Sequence, residues 1–306
     1  MKDLRHLINI TDLSVEEINK LVEVAEDIID NPKAYQDKCV HKKLATLFFE
    51  PSTRTRLSFT AAMMELGGNV LGFDQAASSS TAKGESVSDT IVMASCYSDI
   101  IAMRHPKEGA PFVAANHANV PIINAGDGGH FHPTQTLTDI LTIHKKMGRL
   151  GDLTIGLCGD LKFGRTVHSL IDAMIRYKGI RFVMISPEEL DLPGYMKEKL
   201  DAAGVEWKET RSLDEAIPEL DVLYMTRVQK ERFFNEEDYI RLKDSFILKR
   251  DMLKPAKESM IVMHPLPRVN EISVDVDDDP RATYFYQALM GKYIRMALIL
   301  FMLGIK

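Results

Sequence analysis

The feature that most constrains the fold is a regular alternation of short apolar runs with amphipathic stretches of helical length. In the first half of the chain, apolar runs of strand length occupy residues 43–50, 69–74, 99–105 and 120–125. Helical patterns separate these runs, and a further one follows at residues 133–148. Because continuous apolar strands are buried on both faces, the pattern predicts a parallel β-sheet with helices on each side.

The alternation starts again after Gly151, with predicted strands at 153–159, 181–186, 205–210, 222–227 and 260–265. An amphipathic helix is predicted at residues 284–303, after the acidic segment DVDDDP, which suits a helix N-terminus. The sequence therefore predicts an α/β protein of two domains, each a parallel sheet flanked by helices. Residues 1–150 form the first domain, and residues 151–306, including the C-terminal helix, form the second. A chain of 306 residues is long enough for both to bury a core.

Charge and cysteine content narrow the functional class. The net charge is −6 and the pI is about 5.9, so no nucleic-acid or membrane-surface partner is expected. The three cysteines lie far apart and no His, Cys and carboxylate residues have metal-ligand spacing, so neither a metal nor a disulfide framework is expected, and no cofactor is implied. The N-terminal sequence lacks the apolar core of a signal peptide, and no apolar run reaches the roughly 20 residues that cross a bilayer. A cytoplasmic protein is expected.

Unusual polar residues follow the predicted strands. In α/β folds, ligands bind at the carboxyl ends of parallel strands, where loops lead into helices. Six loops at such positions carry basic or hydroxyl side chains and are expected to converge on one cleft: residues 52–55, 104–105, 126–136, 160–166, 227–229 and 264–268.

The first of these loops contains Ser52, Thr53, Arg54 and Thr55, within FFEPSTRTRLSF, where a strand leads into a helix. Backbone N–H groups, hydroxyls and a guanidinium at a helix start suit a tetrahedral phosphate. An ordinary Ser/Thr N-cap with solvent-exposed arginines explains the same residues equally well. The GxxxxGK[ST] motif is absent, so ATP is not implied.

Three other loops carry candidate ligands for small molecules. Arg165 at a helix start, with Arg227 and Gln229 at a strand end, could hold a small carboxylic acid, although a single such arginine more often forms a surface salt bridge. His132, with Gln135 one turn further on, could donate to a carbonyl oxygen or could simply cap a helix.

The loop SSSTAKGES, residues 78–86, contains Lys83 and is typical either of a flexible surface segment or of a lid that carries a cation. The segment GDLKFGRT lacks the GxGxxG pattern, so a nucleotide-dependent dehydrogenase is disfavoured.

Beyond these separate patterns, the chain contains six strings in a familiar order and spacing: FFEPSTRTRLSF, MRHP, HPTQTLTDI, GDLKFGRTVHSL, YMTRVQKERF and HPLPRVNEI. Across nearly the whole chain, these strings resemble the catalytic chains of the aspartate transcarbamoylase family. The resemblance implies transfer of a carbamoyl group from carbamoyl phosphate to the amine of L-aspartate. The products would be N-carbamoyl-L-aspartate and phosphate, in de novo pyrimidine (UMP) biosynthesis. It also implies that residues 1–150 bind carbamoyl phosphate and residues 151–306 bind aspartate.

The resemblance also implies roles for the residues that would bind carbamoyl phosphate. The turn Ser52–Thr55 holds the phosphate, and Arg104 bridges the phosphate and carbonyl oxygens. His132 bonds the carbonyl oxygen, and Gln135 takes the carbamoyl NH2 group. The residues implied to act in catalysis are Arg54, Thr55, Arg104 and His132.

In the second domain, the resemblance makes Arg165, Arg227 and Gln229 the aspartate-carboxylate binders. Leu266 and Pro267 match the backbone contacts to the carbamoyl nitrogen, where the family has a cis peptide.

The family's active site also borrows a serine and a lysine from a neighbouring chain of a homotrimer. Lys83 matches that lysine, which also contacts aspartate, and the spacing favours Ser79 for the serine, with Ser80 close behind. This loop has one lysine before its glycine where some relatives have two. The implied partners are the two substrates and the neighbouring copies; regulatory chains are allowed, but no motif in this chain reports on them.

Two alternatives compete with this interpretation. Ornithine transcarbamoylase shares STRTR and HPTQ, but it expects a cysteine where this sequence has Pro265, and it expects an SMG loop that is missing here. A non-catalytic phosphate-binding assembly subunit would be expected to have lost some of the cleft residues, and all of them are present. The sequence therefore favours an enzyme with aspartate as acceptor.

Overall fold

In the computed structural model, which describes residues 4–228 and 235–306, the apolar runs form strands as predicted. In the first half, they are β1 (Lys43–Phe48), β2 (Asn69–Phe73), β3 (Ile100–His105) and β4 (Ile122–Asp127). These strands pair in parallel in the order β2-β1-β3-β4. All residues of β3 and β4 are buried, whereas β2, at the edge, is partly exposed.

Helices alternate with these strands as the periodicity predicts. They are α1 (Val15–Asp30), α2 (Thr53–Glu65), α3 (Val87–Ser95), α4 (Ala110–His117) and α5 (Pro133–Met147). The capping box predicted for the first helix is confirmed, because the Ser14 hydroxyl accepts from the Glu17 N–H and the Glu17 carboxylate accepts from the Ser14 N–H.

The second half forms another parallel sheet. Its strands are β5 (Thr154–Cys158), β6 (Arg181–Ile185), β7 (Glu206–Thr210), β8 (Val222–Met225) and β9 (Ile261–Met263). Their order in the sheet is β7-β6-β5-β8-β9. The helices here are α6 (Arg165–Met174), α7 (Gly194–Ala202), α8 (Leu213–Ala216), α9 (Glu236–Leu242) and the C-terminal α10 (Tyr284–Leu303).

The chain divides into two compact units. One compact unit comprises Met1–Leu141 and Leu289–Lys306, and the other comprises Thr142–Ala288. Most of α10 belongs to the first compact unit, and the assignment of residues 1–150 and 151–306 to two binding domains stays a prediction. The physical reason for the position of α10 is visible in its side chains, since Lys292 pairs with Glu65 of α2 and Arg295 donates to Ser58 of α2. The boundary near residue 141 falls inside α5, which continues without a break to Met147.

Each unit has an apolar core built on its own sheet. In the first unit, β1 and β3 pack against α3 and α4 through residues such as Leu47, Met103 and Ile91. In the second, Leu223 and Val262 of β8 and β9 lie in a larger cluster. Within the described residues, no helix combines the length and the apolar character needed to cross a membrane.

Gly159, directly after β5, tests how closely the backbones pack at the carboxyl edge of the second sheet. It has a φ of +114°, and a Cβ there would lie 2.4 Å from the carbonyl oxygen of Thr226. We expect Gly159→Ala to lower the free energy of unfolding by about 3 kcal/mol, because a left-handed φ and a backbone clash act together. The measurement is chemical unfolding of the purified variant.

Gly204→Ala is the matched control. Gly204 also has a positive φ, +63°, but no atom lies within 4 Å of the added methyl group. Only the backbone cost of about 1–2 kcal/mol is therefore expected. Equal destabilisation by the two substitutions would contradict the close packing at Gly159.

Candidate active site

The strand order places predicted binding loops at one point of each sheet. The chain leaves β1 toward β2 and leaves β3 toward β4, in opposite directions, so a crevice opens between the carboxyl ends of β1 and β3. The second sheet has the same arrangement between β5 and β8. Ser52–Thr55 follow β1 and Arg104 is the penultimate residue of β3, while Arg165 follows β5 and Arg227 follows β8. Each pair of loops therefore lies at the switch point of its own sheet.

Ser52 occupies the N-cap position of α2, but its hydroxyl does not make the capping hydrogen bond. The Ser52 carbonyl oxygen instead accepts from the N–H of Arg56 at 3.1 Å, which begins the helix. The first turn of α2 contains no acidic residue, and Thr53 and Arg54 are exposed at this end. The ordinary N-cap explanation is therefore weakened, and the turn retains the donors that an anion requires.

Arg104 is a buried cation near Arg54 of the turn at residues 52–55. Its Nη2 lies 3.4 Å from a carboxylate oxygen of Glu50, and its Nη1 donates to the Ala125 carbonyl oxygen at 3.4 Å. Burial lowers the pKa of Arg104; Glu50 opposes this effect, and the nearby Arg54 guanidinium lowers the pKa further. Its Nε is buried without a hydrogen-bond partner in the part of the chain that the structure describes. The neighbouring guanidinium groups of Arg104 and Arg54 form a positively charged site that suits an anion.

Gly126 brings Arg104 and His132 to one place. It has a φ of +118°, and a Cβ there would lie 2.8 Å from Nη1 of Arg104 and 3.4 Å from Cδ2 of His132. The pairing of β3 with β4 is irregular here, since the register shifts between Met103 and His105. The absence of a side chain at Gly126 therefore lets both predicted site residues lie against the backbone of β4.

Two buried polar residues hold the loop that carries His132. One oxygen of Asp127 accepts from the Asn124 side chain at 2.9 Å and from the Phe131 N–H at 3.0 Å, and the other accepts from the Gly109 N–H at 2.9 Å. The Asn124 oxygen accepts from the Gly126 N–H at 2.8 Å. The roles of Asn124 and Asp127 were not predicted from the sequence. The pattern that could have indicated them is a pair of polar residues within a buried strand.

His132 and Gln135 lie at the start of α5. The His132 carbonyl oxygen accepts from the Gln135 N–H at 2.9 Å and the Thr136 N–H at 3.2 Å, so His132 is the residue from which the helix begins, and its side chain is buried. The Gln135 side-chain NH2 donates to a carboxylate oxygen of Asp139 at 2.8 Å. Asp139 was not among the predicted site residues.

The loop with Ser79 and Lys83 stands apart from these contacts. The Ser79 hydroxyl donates to the Ala76 carbonyl oxygen at 2.8 Å and accepts from the Thr81 N–H at 3.3 Å, so it is engaged in a local turn. Ser80 and Lys83 are exposed. The choice of Ser79 over Ser80 stays a prediction.

In the second unit, Thr226 joins the loops of Arg165 and Arg227. Its N–H and its hydroxyl both donate to the Cys158 carbonyl oxygen, at 2.8 and 2.9 Å, and its hydroxyl accepts from the Asp160 N–H at 3.0 Å. The half-buried Arg165 begins α6, and the half-buried Arg227 follows Thr226 directly. The two arginines thus extend from neighbouring loops at the switch point of the second sheet, whereas Gln229 lies outside the described residues.

The predicted backbone contact at Leu266 and Pro267 lies in a loop held by a buried pair. The Leu266–Pro267 peptide is cis, and the Leu266 N–H donates to Nδ1 of His264 at 2.8 Å. Nε2 of His264 therefore carries the proton and donates to Glu271 at 2.7 Å. Burial raises the pKa of Glu271, but the hydrogen bond from His264 and those from backbone N–H groups outweigh it and lower the pKa overall.

No group of three or more His, Cys, Asp or Glu side chains within residues 4–228 and 235–306 could hold a metal ion. The polar groups described above are instead arginines, hydroxyls, amides and backbone N–H groups, which bind anions and carbonyl oxygens.

Two family models match the chain, one for each half. The model described as the carbamoyl-P binding domain of aspartate/ornithine carbamoyltransferase matches residues 5–145, and the Asp/Orn binding domain of the same family matches residues 151–302.

Known proteins resemble the chain over its whole length. The aspartate carbamoyltransferase catalytic subunit of Lachnoclostridium phytofermentans is 64% identical over 303 residues, which cover 99% of each chain. That of Clostridium kluyveri is 60% identical over 302 residues, again covering 99% of each chain.

Solved structures agree with these relatives. The catalytic subunit of M. jannaschii aspartate transcarbamoylase has a TM-score of 0.90 at 46% identity and covers 97% of each chain. The Trypanosoma cruzi aspartate transcarbamoylase in complex with carbamoyl phosphate and aspartate has a TM-score of 0.91 at 39% identity, covering 96% of this chain and 95% of that one. The chain therefore belongs to the aspartate/ornithine carbamoyltransferase family and is an enzyme of its aspartate carbamoyltransferase catalytic-subunit group.

Proposed function

We propose that the first unit of this carbamoyltransferase binds carbamoyl phosphate and that the second binds L-aspartate through the residues at the two switch points. The observation that carries this proposal is the buried guanidinium group of Arg104, which lies beside the Glu50 carboxylate and near a second guanidinium group, that of Arg54 at a helix start. Such an arrangement suits a phosphate dianion. The roles of single residues follow the resemblance described above.

In the proposed complex, Ser52, Thr53 and Arg54 hold the leaving phosphate. Thr55, Arg104 and His132 donate to the carbonyl oxygen, and Gln135 with the backbone at Leu266 and Pro267 orients the carbamoyl NH2 group. Support comes from Gly126, which brings Arg104 and His132 together on one backbone segment.

The chemistry follows from these positions. The deprotonated amine of aspartate attacks the carbonyl carbon, and negative charge develops on the carbonyl oxygen. Donors that are already in place stabilise this charge without reorganisation, which is worth about 10²-fold or more in rate for a single donor. The C–O bond to phosphate then breaks, and the leaving phosphate accepts the proton from the amine. Positioning of both substrates supplies the remaining rate enhancement.

The proposed binding site for the acceptor lies in the second unit, where Thr226 joins the loops that carry Arg165 and Arg227. Gln229 is proposed as a third ligand of the acceptor. Two guanidinium groups suit the two carboxylates of aspartate and would repel the ammonium group of ornithine. Pro265 stands where ornithine transcarbamoylases are expected to have a cysteine. Aspartate is therefore the proposed acceptor, and ornithine is the alternative that an assay must exclude.

We further propose that three copies assemble with shared sites, to which a neighbouring chain contributes Lys83 and Ser79. Support comes from the exposed position of Lys83 and from large apolar side chains exposed on α2 and α4, including Leu57 and Phe112, each 61% exposed. Exposed apolar side chains of this size often mark contacts with another chain. The name "catalytic subunit" carried by the relatives is compatible with regulatory chains as further partners.

The proposed setting is the cytoplasm, with N-carbamoyl-L-aspartate passing into pyrimidine (UMP) biosynthesis. The three cysteines are free in the structure, and Cys39 and Cys158 are buried, as suits a reducing compartment.

The acceptor assignment is tested by an assay of the purified protein with carbamoyl phosphate and either L-aspartate or L-ornithine. We expect a kcat/KM for aspartate at least about 10³-fold higher, because ornithine has only one carboxylate and would place an ammonium group near the second half-buried guanidinium group. Arg227→Met should raise the KM for aspartate, whereas Arg250→Ala, at an exposed arginine of the same unit, should behave like the parent. Faster turnover of ornithine than of aspartate would overturn the acceptor assignment.

Gly126→Ala tests the carbamoyl phosphate site. The added methyl group would displace the guanidinium group of Arg104, so we expect kcat/KM for carbamoyl phosphate to fall about 10²-fold, as displacements of about 1 Å do in other active sites. Gly109→Ala is the control, since Gly109 also has a positive φ, +76°, but no atom within 4 Å of the added carbon. Initial rates at varied carbamoyl phosphate provide the measurement, and equal rates for the two variants would argue against this site.

Shared sites are tested by mixing two inactive variants, Arg54→Ala and Lys83→Ala. If each site takes Arg54 from one chain and Lys83 from its neighbour, subunit exchange at equal amounts regenerates intact sites at about a quarter of positions. Activity should therefore appear after the mixed chains are dissociated and reassembled, and each variant reassembled alone should stay inactive. A mixture that remains as inactive as its parents would rule out sharing between chains.

A further inference from the structure

Arg295 of α10 is a charged residue buried inside the first unit, with only 4% of its surface exposed. Its Nη1 donates to the Ser58 hydroxyl at 2.9 Å, and its Nη2 donates to the Thr134 hydroxyl at 3.4 Å. Ser58 lies in α2, one turn beyond the phosphate turn, and Thr134 lies in α5, between His132 and Gln135. Arg295 therefore connects the two helices whose first turns carry the proposed carbamoyl phosphate residues.

The surroundings of Arg295 are shaped to hold its guanidinium group. The guanidinium carbon lies 5.2 Å from the centre of the Phe59 ring, within range of a cation–π contact. A Cβ at Gly291, one turn earlier in α10, would lie 2.5 Å from Nη1 of Arg295 and 3.3 Å from the Thr138 hydroxyl. The side chain thus fills a fitted space between three helices.

A buried cation needs a counter-charge, and Asp139 supplies it. Burial lowers the pKa of Arg295 to about 10, and the Coulombic attraction of Asp139 acts in the opposite direction. Arg295 is therefore charged at neutral pH. Asp139 has no exposed surface, so its carboxylate can offset the charge with little screening by water.

Asp139 also fixes the orientation of the Gln135 amide. An ionised carboxylate only accepts hydrogen bonds, so the group that Gln135 presents to Asp139 must be its NH2, with a donor–acceptor distance of 2.8 Å. The carbonyl oxygen of the same amide then points to the other side. A carbamoyl NH2 group on that side would donate a hydrogen bond to the Gln135 side-chain oxygen.

We propose that Asp139, with Arg295 as its buried counter-charge, is a positioning residue that holds the Gln135 amide with its oxygen toward the carbamoyl NH2 group. The inference rests on the proposed function, because it specifies how Gln135 binds carbamoyl phosphate there. With the opposite amide orientation, two NH2 groups would face each other and no hydrogen bond could form.

The test is Asp139→Asn. The positive charge of Arg295 attracts the oxygen of the new amide, so its NH2 turns to Gln135 and forces the Gln135 amide to flip. We expect kcat/KM for carbamoyl phosphate to fall by about tenfold, as for loss of one buried hydrogen bond to substrate. The KM for aspartate should change less than twofold. Loss of affinity for both substrates alike would indicate general disruption and overturn the inference.

A double-mutant cycle separates positioning from a purely structural role. In the Gln135→Ala background there is no amide to orient, so Asp139→Asn should change kcat/KM for carbamoyl phosphate by less than about twofold. The same tenfold loss in both backgrounds would show that Asp139 does not act through Gln135. Thermal unfolding of all four proteins accompanies the kinetics.

A second variant keeps the inference testable if Asp139→Asn does not fold. The double variant Asp139→Leu/Arg295→Met removes both buried charges and fills their volume, an exchange that proteins often tolerate. It leaves the Gln135 NH2 without its acceptor, so the same tenfold loss is expected. Parental kinetics in this folded variant would overturn the inference.

Gln135→Ala alone distinguishes failure of the inference from failure of the proposed function. If Gln135→Ala leaves carbamoyl phosphate kinetics unchanged, the Gln135 assignment fails and the inference fails with it. If Gln135→Ala lowers kcat/KM but the Asp139 variants do not, the proposed function stands and only the positioning role is overturned.

Discussion

Parallel pairing of β1 with β3, and of β5 with β8, is the constraint on which the rest of the structure depends. These two pairings bring together residues that are about 50 or more positions apart in the chain, because one strand and two α-helices lie between β1 and β3, and two strands and three α-helices lie between β5 and β8. Since the loops leave the paired strands in opposite directions, the carboxyl ends stay uncovered by their own connections. The first pairing brings Ser52–Thr55 close to Arg104. The second brings Arg165 close to Arg227.

Hydrogen bonds to buried polar side chains then fix the geometry of these loops. Asp127 and Glu271 each accept two backbone N–H groups of the loops they support, and Thr226 uses both its hydroxyl and its N–H to tie two loops together. Such contacts are strong because the groups are buried, where an unmade hydrogen bond costs more than in water. The loops can therefore present their donors in a set arrangement before a substrate arrives, which is what electrostatic catalysis requires.

The sequence predicted much of this architecture but little of its support. Short strand patterns marked all nine described strands, and Ser14 with Glu17 marked the first helix, because these signals are local. The candidate residues at loop positions were also recognisable, since 52–55 and 264–268 are short continuous strings. The partners of those residues were not, because Asp139 and Arg295 are 156 positions apart and meet only through tertiary packing. For the same reason, the periodicity of α10 identified a helix without indicating that most of it belongs to the first unit.

The missing side chain at Gly126 limits how this part of the molecule can change over evolutionary time. A Cβ at this position would lie 2.8 Å from Nη1 of Arg104, so a substitution of this glycine requires the guanidinium group to move. A shorter residue at position 104 would make room but would give up the guanidinium fork. A change at Gly126 is therefore expected to require a compensating change at Arg104.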